Sequence, residues 1–86
     1  MPEISRFFGI IIAIYYNEHN PPHFHARFGD FEAQFRIDNG VILAGELPRR
    51  ALNLVETWRL QHEAELLADW YLAAARKPLR KIEPLE

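Results

Sequence analysis

Three of the four histidines of this 86-residue chain fall within one short segment, Asn17-Glu18-His19-Asn20-Pro21-Pro22-His23-Phe24-His25. Imidazole changes charge near neutral pH and is the commonest metal ligand, so a cluster this dense is where chemistry would be placed. His23 and His25 stand two apart on an extended run and share one face. Arg27, Glu32, Gln34 and Arg36 fall on that same face. His19 belongs to the preceding loop, which Pro21 and Pro22 stiffen, lowering the entropy lost on folding. A loop pre-set in this way can bring His19 back over His23 and His25. Three imidazoles without a thiolate resemble a catalytic-type set for a divalent metal such as zinc, with one position open. Glu18 or Glu32 would then serve as a fourth ligand or as a base. Arg27 and Arg36 point to different chemistry, because guanidinium groups disfavour a bound cation and hold a phosphate or carboxylate. In that reading the histidines act as general acid–base groups. A third reading is structural: histidines on the polar face of a half-buried strand, preceded by a rigid turn. The residues alone leave all three open.

The elements that must position these groups follow from pattern. Phe7 to Tyr16 is dominated by β-branched and aromatic residues and reads as one strand, apolar on both faces and covered on both at least in part. Gly9 within it marks a bulge or a close backbone approach. From His23, the residues Phe24, Ala26 and Phe28 alternate with polar ones, Gly29-Asp30 reads as a two-residue turn, and Phe31, Ala33, Phe35 and Ile37 continue the alternation. A two-residue turn pairs Phe28 with Phe31, Ala26 with Ala33 and Phe24 with Phe35, placing all seven apolar residues on the core face. Arg27 then opposes Glu32. Asn39-Gly40 signals a second hairpin into Val41 to Ala44.

Pro48 suits a first helical turn. Ala51, Leu54, Val55 and Trp58, then Leu66, Leu67, Trp70, Tyr71 and Ala74, recur at helical spacing, and Pro78 closes the region. An unbroken helix from Pro48 to Lys77 would run about 45 Å and overhang so small a sheet, which predicts a break between Leu60 and Glu63. His62 is read as a structural residue near that break. Glu65 and Asp69, one turn apart, form a weaker carboxylate pair, more simply a solvated helix face. Arg49-Arg50, Arg76-Lys77 and Arg80-Lys81 are basic patches. Tyr15, Tyr16, Trp58 and Trp70 read as packing residues, with the tryptophans also suited to an oligomer interface.

The resulting expectation is an α+β fold. Residues 1–47 form an antiparallel meander of three to four strands, residues 48–77 one or two helices packed on its face, and residues 78–86 an extended tail, all in a single domain 1–86. The chain has no cysteine, which excludes disulfides and thiolate sites and agrees with a cytoplasmic location. The apolar run Phe7 to Tyr16 is too short to span a bilayer as a helix, so no membrane association is expected. A net charge of −2 gives no general attraction to nucleic acid or anionic lipid.

Five segments carry a family resemblance: Pro2 to Ile10, His19-Asn20-Pro21-Pro22-His23-Phe24-His25-Ala26, Gly45-Glu46-Leu47-Pro48 with Arg50-Ala51-Leu52, Glu65-Leu66-Leu67 with Trp70, and Lys81-Ile82-Glu83-Pro84-Leu85. Together they resemble the small prokaryotic family termed domain of unknown function 4160, over essentially the whole chain. The resemblance implies a stand-alone protein, often encoded beside another small domain in pairs that look like toxin–antitoxin or regulatory genes. It implies no activity. Because the family pattern includes the tail, Leu79 to Leu85 is expected to be ordered, covering a sheet edge of its own chain or of a partner.

Two functions follow. The first is an interaction or regulatory module that acts with a paired small protein, as a homodimer or in a complex with it. The second is a small hydrolase, acting on a substrate such as RNA, in which His19, His23 and His25 supply acid–base groups or metal ligands and Arg27 or Arg36 holds the phosphate.

Overall fold

The structure, a computed structural model, describes residues 2–86. Five strands, β1 (Glu3–Phe7), β2 (Ile10–Ala13), β3 (His23–Phe28), β4 (Phe31–Arg36) and β5 (Ile42–Glu46), precede one helix, α1 (Arg49–Ala74). The strands form one antiparallel sheet in sequence order. The α+β class is as expected, with five strands in place of three to four. The extra strand arises because Phe7 to Tyr16 is not a single strand. The chain reverses at Phe8 and Gly9, whose φ angles are 49° and 81°. Two successive positive φ values give a hairpin turn whose twist matches that of its strands. Asparagine is the usual signal at the first of these positions, and phenylalanine in its place hides the turn. A Cβ at Gly9 would lie 3.3 Å from the Phe28 ring, so the close approach exists, at a turn rather than a bulge.

The β3–β4 hairpin has the register that the alternation requires: Phe24 opposite Phe35, Ala26 opposite Ala33, Arg27 opposite Glu32 and Phe28 opposite Phe31. Phe24, Ala26, Ala33, Phe35 and Ile37 are buried, but Phe31 is 41% exposed. The apolar row therefore outruns its cover: Phe28, only half-buried, lines an open cavity with Phe8, Pro48 and Leu54 near the start of α1.

Trp58 is the centre of the core. It is fully buried, with its ring 5.3 Å from that of Phe7 and 6.0 Å from that of Phe24. The helix breaks phase at His62 (φ −130°, ψ 24°), inside the expected window. His62 holds the break with its Nδ1 2.6 Å from Glu65 Oε1. Beyond the break, Leu66, Trp70 and Ala73 carry the buried face. One buried charge escaped the pattern reading. Arg59 donates from Nη1 to the Ile37 carbonyl (2.8 Å) and from Nε and Nη2 to the Glu56 carboxylate (2.8 and 2.6 Å), clamping α1 to the β4–β5 connection.

The tail runs back along β1. The Ile82 N–H donates to the Ile4 carbonyl (2.8 Å), Lys81 Nζ to the Glu3 carbonyl (2.8 Å), and Trp58 Nε1 to the Glu83 carbonyl (2.8 Å). Ile82 is buried. Asp69 does not pair with Glu65. It is buried and accepts the Arg80 N–H (2.9 Å), and burial raises its carboxyl above the ordinary range against the lowering effect of that hydrogen bond. Thus the tail covers one sheet edge within its own chain. Among the described residues, no helix is long and apolar enough to cross a membrane.

At the other edge, β5 pairs with β4 through Gly45, whose φ is +77° and where a Cβ would collide with the Glu32 carbonyl oxygen. Gly45→Ala is expected to cost about 1–3 kcal/mol, from the left-handed backbone and the forced separation of β4 and β5. A urea melt checks it, and an unchanged midpoint would contradict this packing.

Candidate functional site

Alternation along β3 puts His23 and His25 on the sheet face opposite the Phe24–Trp58 core. Both are nonetheless buried, at 6% and 8% exposure. The loop between β2 and β3 folds over them. Its Asn20–Pro21 peptide is cis. Tyr15 sets its ring edge-on to His25 at 4.5 Å, and Trp70 lies 5.1 Å from the His23 ring. The end of α1 anchors the loop: Arg76 Nη2 donates to Asn17 Oδ1 (2.7 Å) and the Tyr16 hydroxyl to the Lys77 carbonyl (3.2 Å).

Each ring has one nitrogen engaged by a pure acceptor. His23 Nδ1 lies 2.8 Å from the Pro21 carbonyl oxygen. His25 Nδ1 lies 3.2 Å from Glu32 Oε2. An acceptor at that position fixes the proton on Nδ1. The two Nε2 atoms then converge on Glu18, whose Oε1 is 2.5 Å from His25 Nε2 and 3.5 Å from His23 Nε2. The longer separation lies outside good hydrogen-bond geometry, and His23 Nε2 is buried without a hydrogen-bond partner. Burial pushes the Glu18 carboxyl up. The hydrogen bond from His25 and the electrostatic pull of the two imidazoles outweigh it, so its pKa lies below the ordinary value.

Of the residues singled out by sequence, the structure brings His23 and His25 together and leaves His19 out. His19 is exposed on the loop, and Glu18 takes the place expected of it. Among the described residues, Glu18, His23 and His25 form a group able to hold a metal ion, with ligand atoms all within 4.8 Å of one another. The two arginines do not join them. Arg36 is held by Asp38 in a two-point pair at 2.8 Å for both bonds. Arg27 is exposed, opposite Glu32 on one side and Ile11 on the other.

A second feature lies at the sheet's open edge. Every residue of β5 is exposed, including Ile42 and Leu43 at 40% each, with Val41 beside them at 52%. Glu46 stands directly opposite Glu32, so two carboxylates face each other across the outer strands. Like charges in that position oppose pairing. The sequence located this strand and missed its exposure, because an apolar run reads the same at an edge as in a core.

A family model described as Domain of unknown function (DUF4160) matches residues 9–71. No curated protein and no solved structure matches the chain.

Proposed function

The chain belongs to the DUF4160 family, and we propose that it is a protein-interaction module that binds an extended segment of a small partner protein by strand addition at β5. The observation that carries this reading is the asymmetry of the two sheet edges. An unpaired edge is a template for another chain, and folds normally cover or charge it. Here the tail covers β1, while β5 is left open and carries exposed aliphatic side chains. Strand addition would satisfy its free backbone groups and cover part of Ile42 and Leu43 on the two sheet faces.

Glu46, which faces Glu32 of β4 on its inner side, favours an incoming strand with a lysine or arginine opposite it on the outer side. The β5 sequence, Ile-Leu-Ala-Gly-Glu, contains no cation to offer a second copy of itself. The occupant is therefore a protein of different sequence, such as the paired small protein that the family resemblance implies would be encoded beside it.

Co-expression with that neighbour is expected to yield a complex, and the double variant Ile42→Lys with Leu43→Lys to lose it. Both positions are solvent-exposed, so the variant keeps its circular dichroism and melting behaviour. A folded variant that still binds the neighbour overturns strand addition at β5. So does light scattering in which the wild-type chain alone is a dimer that the variant converts to monomer, since the edge would then serve self-association.

The alternative, a small hydrolase, draws support from the Glu18–His23–His25 group. Its phosphate-holding end is reduced to Arg27, because Arg36 is already engaged by Asp38.

A further inference from the structure

We propose that Glu18 Oε1, His23 Nε2 and His25 Nε2 bind one divalent transition-metal ion of the zinc class, and that the ion fastens the β2–β3 loop to the sheet. The argument rests on His23. Its Nδ1 is turned to the Pro21 carbonyl, so Nε2 presents a lone pair. That lone pair is buried and unpartnered, an arrangement that costs stability unless something occupies it. It points to the space shared with Glu18 and His25, whose ligand atoms lie within 4.8 Å.

His25 has the matching outer partner. Glu32 at its Nδ1 leaves Nε2 as the inward-facing atom. Backbone carbonyl on one imidazole and carboxylate on the other is the supporting arrangement that orients metal-bound histidines and raises their basicity. Without an ion, the short contact between Glu18 and His25 Nε2 needs a proton between the two atoms; an ion would take the proton's place.

The distances agree with a tetrahedral ion after a small motion. Two ligands of one ion, each at about 2.0–2.1 Å, stand about 3.3 Å apart. The 3.5 Å between Glu18 and His23 already suits this, and the 2.5 Å between Glu18 and His25 requires the carboxylate to swing back. The Glu18 side chain is 28% exposed and sits on a loop, so it can do so. Two imidazoles and one carboxylate select zinc and its neighbours over magnesium or calcium, which take oxygen ligands. Three protein ligands leave one position for water or for a partner's side chain.

The test uses the full chain purified without an affinity tag. After dialysis against zinc chloride, elemental analysis is expected to find one zinc per chain and the melting temperature to rise. Cobalt(II) is expected to give the intense visible bands of a four-coordinate site. Glu18→Gln, at a partly exposed position that should not disturb folding, is expected to weaken zinc binding at least about tenfold and abolish the melting shift. His23→Ala is expected to do the same, and His19→Ala to bind as the unaltered chain does. Failure of the unaltered chain to retain zinc overturns the proposal. So does unchanged affinity in folded Glu18→Gln, or loss of binding in His19→Ala.

Discussion

Replacing Trp58 with alanine is expected to cost roughly 3–5 kcal/mol, the range for emptying a buried aromatic site. Natural domains hold only about 5–15 kcal/mol in total, and one this small sits toward the lower end, so the variant should be left marginally stable and partly unfolded at ambient temperature. The effect is large because three parts of the fold meet at this side chain. Its ring packs on Phe7 of β1 and Phe24 of β3, and its indole N–H holds the tail through the Glu83 carbonyl. Trp58→Phe separates these roles. It keeps most of the ring volume and gives up the hydrogen bond, whose net worth is about 0.5–1.5 kcal/mol. Urea unfolding of both variants, followed by circular dichroism, should rank alanine far below phenylalanine. If Trp58→Ala melted like the unaltered chain, α1 would not be packed on this face of the sheet.

Truncation after Lys77 is expected to remove about 3–5 kcal/mol. Burying the Ile82 side chain contributes about 1.5–3 kcal/mol. The stranded indole N–H of Trp58 adds about 1–3 kcal/mol if water does not reach it. The truncation also bares the β1 edge that the tail now covers. A newly open edge recruits other chains, so the mass by light scattering should rise as the melting temperature falls. A truncated chain with the same mass and melting temperature as the full one would make the tail a passive terminus.

The features legible in the sequence are those set by local periodicity. The β3–β4 register followed from a two-residue turn and strict alternation, since a slip of one residue would have turned Phe24, Ala26, Ala33 and Phe35 away from the core. The kink at His62 followed from length, because a straight helix would overhang the sheet. What the sequence could not decide depended on how loops return in space. The turn at Phe8-Gly9 lacked the usual asparagine signal. In the β2–β3 loop, adjacent residues diverge, so whether Glu18 or His19 meets His23 and His25 is settled by the anchoring of Tyr16 and Asn17 at the end of α1. Arg36 was counted as a free anion site because its neighbour Asp38 lies in a turn whose path only the β5 pairing determines. Asp69 reads as solvated in the pattern, and Arg59 goes unmarked in it, for a related reason. Helical spacing says which residues share a face, but the Ile37 carbonyl and the Arg80 N–H that make their burial tolerable come from distant segments. Periodicity determined the elements and most of the core. Tertiary packing decided which polar groups meet, because a polar residue can be buried only where the rest of the chain brings it a partner.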